Sequence, residues 1–99
     1  MAESAPPLLV FFTSRRSGPA RRMESLLAHI ARRERDRLRV ERVDVDEQPE
    51  LAARFRVSEV PSLVLVKRRR VVARLEGRST APRIEAMLEA HLRGEPAAV

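Results

Sequence analysis

The 99-residue sequence has no cysteine, no tryptophan and no tyrosine, and only three phenylalanines. Without a thiol there is no disulfide, no Cys-bearing zinc or iron–sulfur site, and no sulfur nucleophile. The two histidines, His29 and His91, lack paired spacing and cysteine neighbours, so no metal site and no cofactor is expected. The scarcity of aromatics removes the stacking platforms that single-stranded nucleic acids use. Nucleic acid is therefore not an expected partner, although the basic charge would permit phosphate contacts. No stretch approaches the ~20 apolar residues that cross a bilayer, and Met1 to Pro7 lacks the cationic start and apolar run of a signal peptide. A cytoplasmic location with no membrane partner is the resulting expectation.

What is present fits one small α/β domain. An apolar content of 43% supports a single modest core. Lys and Arg number 20 against 14 Asp and Glu, a net charge of +6, and all the cations except Lys67 are arginine. Such a surplus favours anionic partners. The arginines are nevertheless dispersed over helices, strands and turns, as a purely compositional bias would leave them.

The hydrophobic pattern orders the elements. Leu8 to Phe12 is an unbroken apolar run, the mark of a central strand covered on both faces. A polar turn, Thr13 to Gly18, follows, and Pro19 suits the first turn of a helix because its missing N–H has no partner to lose there. That helix is predicted to run to about Arg35, with Met23, Leu26, Leu27 and Ile30 on its inner face. Leu38 to Val45 reads as a half-exposed or edge strand, with Val43 and Val45 on one face and Arg42 and Asp44 on the other, more solvated one. Asp46 is the expected cap of a short helix headed by Pro49, with Leu51, Ala52 and Phe55 inward. Leu63 to Val66 and Val71 to Leu75 flank the basic turn Lys67-Arg68-Arg69-Arg70 and form an antiparallel hairpin. Gly77 ends it, Ser79 or Thr80 caps a last helix with Pro82 in its first turn, and Ile84, Met87, Leu88 and His91 or Leu92 make that helix's apolar stripe. The order is βαβαββα, a four-stranded mixed sheet with helices on both faces. Residues 8–93 are taken as the domain, with 1–7 and 94–99 as flexible ends.

Ser17-Gly18-Pro19-Ala20 after the first strand, Val43-Asp44-Val45-Asp46, Pro49, Val60-Pro61-Ser62 before the third strand and Gly77 together resemble the thioredoxin family, from Leu8 to Leu92. The resemblance implies the minimal thioredoxin fold, the four-stranded, three-helix core shared with glutaredoxins. The family's additional first strand and helix have no counterpart ahead of Leu8. It also implies a cis peptide bond before Pro61. In the family a Cys-Gly-Pro-Cys motif attacks disulfides; here Ser17 and Ala20 stand at the cysteine positions. Phe11 stands where a buried carboxylate serves as proton acceptor, and Thr13 and Arg16 stand where tryptophans flank the motif. A hydroxyl with no activating base does not ionise near neutral pH, and phenylalanine moves no proton. A redox-inactive member with no catalytic residue is the expectation. A residual reductase or transferase activity would rest on fold analogy alone.

Two binding roles remain. In the first, the former substrate groove, formed by Val60, Pro61 and the Ser14 to Ser17 turn, pairs with an extended protein or peptide segment. In the second, the helix start at Ser17 to Arg22, with unfilled N–H groups and with Arg15, Arg16, Arg21 and Arg22 around it, takes a small anion or nucleotide. It is no phosphate loop, having neither the glycine-rich run nor a Gly-Lys-Ser/Thr. The candidate site is thus Arg15, Arg16, Ser17, Gly18, Arg21, Arg22, Val60 and Pro61, around the degenerate Ser17-Gly18-Pro19-Ala20 motif.

Overall fold

Five apolar residues in succession must bury both faces of a strand, and this places Leu8 to Phe12 inside the sheet. The computed structural model describes residues 6–93. Its elements are β1 (Leu8–Thr13), α1 (Gly18–Arg22), α2 (Glu24–Arg33), β2 (Arg39–Asp44), α3 (Pro49–Arg54), β3 (Ser62–Lys67), β4 (Arg70–Glu76) and α4 (Ala81–Leu92). The strand order is β2-β1-β3-β4, with β1 parallel to β2 and antiparallel to β3, and β3 antiparallel to β4. Successive residues of β1 therefore feed two cores. Leu9 and Phe11 join Met23, Leu27, Ile30, Leu63, Leu65, Ile84, Leu88 and Leu92 under α2 and α4. Val10 and Phe12 join Val43, Ala52 and Val64 under α3, with Leu51 and Phe55 packed alongside.

The helix predicted to run unbroken to Arg35 is divided. At Met23 the N–H bonds the Ala20 carbonyl at 3.0 Å, three residues back instead of four. At that spacing residues i and i+3 eclipse, so Ala20 and Met23 both point into the core, where both are buried. Asp46 does not cap α3; Gln48 holds the cap position without a side-chain bond, and Asp46 is drawn elsewhere. Asp44, expected to face solvent, is buried, and its Oδ1 accepts the Asp46 N–H at 2.8 Å. Thr80 caps α4, its hydroxyl oxygen accepting the Arg83 N–H at 3.4 Å, and Leu92 rather than His91 completes the buried stripe.

β4 is less buried than its apolar sequence suggested, because it forms the sheet's other edge and only its Ala73 and Leu75 pack against the core under α2 and α4. Arg68 and Arg69 make the two-residue turn between β3 and β4, both at positive φ, 53° and 68°, the backbone of a type I′ hairpin turn. Gly77, at φ +81°, donates its N–H to the Pro61 carbonyl at 2.8 Å, and a Cβ there would lie 2.7 Å from Glu59 Oε2. The 94–99 tail and most of the 1–7 segment lie outside the described residues. Pro7, within them, is buried, and its carbonyl accepts the Arg39 N–H at 2.9 Å, extending the β1–β2 ladder by one rung. Among the described residues no helix is long and apolar enough to cross a membrane.

Candidate functional site

Four connections meet at one end of the sheet. The β1 to α1 turn and the β2 to α3 loop lie side by side, because Thr13 pairs with Asp44 and the Val45 N–H reaches the Thr13 carbonyl at 2.9 Å. Phe12 pairs with Ser62, so the turn that follows β1 and the Val60-Pro61 segment that precedes β3 leave the same end of the paired strands. Gly77 closes the rim from β4 through its bond to Pro61. The Val60–Pro61 peptide bond is cis; Pro61 is buried and Val60 half-buried. The topology thus brings the motif and Val60-Pro61, forty residues apart in the chain, to the same edge.

Within the motif each side chain has a structural task. Ser17 is the N-cap of α1, its Oγ accepting the Ala20 N–H at 3.1 Å. Pro19 occupies the first turn, where it forfeits no bond. Ala20 is fully buried. Ser17→Ala is expected to lower stability by about 1 kcal/mol, or about 5 °C in Tm for a domain of this size. Thermal melts followed by circular dichroism check it, with Ser17→Asp restoring most of the loss.

The charges differ from the sequence reading. Arg15 Nη2 lies 3.3 Å from Glu47 Oε2, and Arg16 Nη2 lies 3.7 Å from Asp46 Oδ1. Two of the four arginines therefore face carboxylates of the β2 to α3 loop. Such exposed pairs contribute little to stability, but they offset the local positive potential. Arg21 and Arg22 are exposed, and Arg22 folds back toward the helix start, its Nη1 being 3.4 Å from where a Gly18 Cβ would sit. The expected unfilled N–H groups are largely filled. Ala20 is taken by Ser17 Oγ, Arg21 by the Ser17 carbonyl at 3.0 Å, and Pro19 has none to offer. A five-residue helix with a satisfied first turn and two paired arginines loses most of what made it suited to a free anion.

Ser14 and Thr13 carry the site's internal connections, and no local pattern in the chain signals either bond. Ser14 Oγ donates to Asp46 Oδ2 at 2.6 Å and accepts the Arg16 N–H at 3.1 Å, tying the motif turn to the neighbouring loop. Thr13, fully buried, donates through Oγ1 to Glu24 Oε2 at 3.3 Å, and Glu24 also accepts from Arg42 Nε at 3.0 Å. Phe11 lies in the core under α2 and α4, with no polar partner. Among the described residues no cluster of His, Asp or Glu could hold a metal ion.

The thioredoxin family model matches residues 1–90. The chain belongs to the thioredoxin family. It is 35% identical over 82 residues to the thioredoxin of Alicyclobacillus acidocaldarius, covering 83% of this chain and 78% of that one. A thioredoxin-like protein of Synechocystis is 30% identical over 89 residues, 90% of this chain and 85% of that one. The crystal structure of the germline-specific thioredoxin Deadhead of Drosophila melanogaster superposes with a TM-score of 0.79 at 26% identity, covering 85% of this chain and 80% of that one. Thioredoxin chemistry runs through thiolate attack on a disulfide, and this family member has no cysteine with which to perform it. Serine and alanine at the motif are here accompanied by phenylalanine in the core and by threonine and arginine at the rim.

Proposed function

We propose that this thioredoxin-fold domain is a redox-inactive binding module that holds an extended segment of a protein partner between Val60-Pro61 and the Ser14 to Ser17 turn. The observation that carries the reading is the backbone of Val60. It precedes β3, and neither its N–H nor its carbonyl enters a hydrogen bond with a described residue. Val60 is a half-buried residue two places before β3, and a residue there with both backbone groups unpaired offers a rung to an added strand, because backbone donors and acceptors seek bonds. Arg16, in the motif turn, and Arg21, on α1, are exposed and favour a segment with acidic side chains.

The test is selection of a displayed random-peptide library against the protein, followed by amide NMR of the 15N-labelled chain with the enriched peptides. Shifts are expected at Ser14 to Ser17 and at Val60, and affinity is expected to fall about tenfold or more in Arg16→Glu or Arg21→Glu. Enriched peptides that shift amides elsewhere, or bind both variants as well as the parent, would sink the reading.

A further inference from the structure

At the opposite end of the sheet from the motif, the β3–β4 hairpin carries three successive arginines, Arg68, Arg69 and Arg70, all exposed and none ion-paired with a described residue. Directly after them come Val71, 45% exposed, and Val72, 36% exposed, the most exposed large hydrophobic side chains among the described residues. The pairing of β3 with β4 accounts for this. Leu65 pairs with Ala73 but Val66 pairs with Val71, so Val72 is the extra residue of a bulge. Val66 belongs to the α3 face of the sheet and Ala73 to the α4 face. Val71, opposite Val66, and Val72, next to Ala73, therefore both fall on the α3 face, where regular alternation would have sent one of them to each side.

That face is covered only in part. α3 is six residues long, and Phe55, just past its end, packs against Phe12 with ring centroids 5.6 Å apart and ring planes inclined at 56°, so its cover lies toward the motif end of β1. At the hairpin end the same face presents a row running Leu8, Val66, Val71, because Leu8 pairs with Val66 and Val66 with Val71. Leu8 and Val66 are only partly buried. An apolar row that the described residues cover only in part is thus bordered by Arg68 and Arg69 in the two-residue turn and by Arg70 at the start of β4, none of them ion-paired with a described residue.

We infer that this hairpin end is a docking surface for an anionic lipid bilayer, with Arg68, Arg69 and Arg70 on lipid phosphates and Val71 and Val72 seated among the headgroups. Arginine forks match phosphate oxygens, and each cation near an anionic leaflet adds to binding. Charge alone would serve a nucleic acid equally well. The valines decide between them, since apolar side chains gain from the acyl boundary and gain nothing from a phosphate backbone read through counterion release. The surface lies at the far end from Val60, so it leaves the peptide groove open.

Sedimentation of the full chain with phosphatidylglycerol vesicles and with phosphatidylcholine vesicles tests this. Partition onto phosphatidylglycerol is expected, with little onto phosphatidylcholine. Arg68→Ser/Arg69→Ser is expected to reduce it about 30-fold. Val71→Ser/Val72→Ser, which leaves the charge unchanged, is expected to reduce it several-fold. Circular dichroism melts confirm that both variants remain folded; if the valine pair does not, Val71→Thr alone takes its place with the same expected direction. Equal partition onto both vesicle types, or no loss on removing the arginines, overturns the assignment. A DNA duplex bound more tightly than the vesicles, with the arginine variant weakened and the valine variant unchanged, also overturns it and gives the patch to nucleic acid.

Discussion

Phe11→Asp, which restores the carboxylate that thioredoxins carry at this place, is expected to leave the protein largely unfolded at neutral pH. Phe11, 1% exposed, belongs to the apolar core cluster that includes Leu9, Met23, Leu27, Leu63 and Ile84. Truncating a buried phenylalanine costs about 3–5 kcal/mol, and leaving a charge unpaired in the space costs several more unless the group stays protonated. Small domains have about 5–15 kcal/mol in total, and one of this size sits toward the lower end. The pH dependence separates the two costs. Burial raises the carboxyl pKa in the folded state above its unfolded value, so the folded state binds the proton more tightly. The destabilisation therefore grows as pH rises from the unfolded carboxylate pKa toward neutrality. Melts at pH 5 and pH 7 are expected to show Phe11→Asp less stable at pH 7, while Phe11→Asn shows the cavity cost without that difference. A Phe11→Asp protein that melts like the parent at both pH values would mean that the core admits water here, and that its loss of the carboxylate was incidental.

The second large effect is a gain. Ser17→Cys/Ala20→Cys is expected to create a disulfide-forming pair and a measurable dithiol-dependent reduction of insulin, starting from a parent indistinguishable from the no-protein blank. The N-cap position at Ser17 sets the first sulfur beside the helix start, where a thiolate is favoured. Ala20, one turn on and buried, sets the second behind it. The restored activity should remain far below that of a thioredoxin, because Phe11 cannot accept the proton of the buried thiol and no tryptophan shields the site. Thiol titration before and after oxidation reports the disulfide, and the insulin assay reports the turnover. Failure of the pair to oxidise would show that the α1 turn has drifted from the family geometry as well as from its chemistry. Full thioredoxin-like rates would show that the missing carboxylate and tryptophans matter little on this scaffold.

Much of the architecture was legible because its signals are local. Leu8 to Phe12, the three- and four-residue spacing from Met23 to Ile30, and the prolines at the helix starts each bias their own segment, and they agree with one another. Boundaries were less legible. The break at Met23 depends on burying two side chains at once, which periodicity alone does not reveal. Asp46 has the residue type and position of a helix cap, but a hydroxyl from Ser14, across the sheet edge, competes for its carboxylate and the local preference is overridden. The candidate site was legible in its backbone, the motif and Val60-Pro61, because those positions carry the family's punctuation of Gly and Pro. Its electrostatics were not. Arg15 and Arg16 read as unopposed cations only until the parallel pairing of β1 and β2 brings Glu47 and Asp46 against them.

By itself the sequence determined two things about this protein. It carries no sulfur chemistry, since that follows from composition alone, and its elements come in thioredoxin order, since each is encoded by short-range pattern. Which charges are neutralised, which serine ties the motif to its neighbour, and which valines face solvent were decided only by the tertiary structure. Each depends on strand register, and a one-residue shift such as the bulge at Val72 reassigns side chains between the buried and open faces of the sheet.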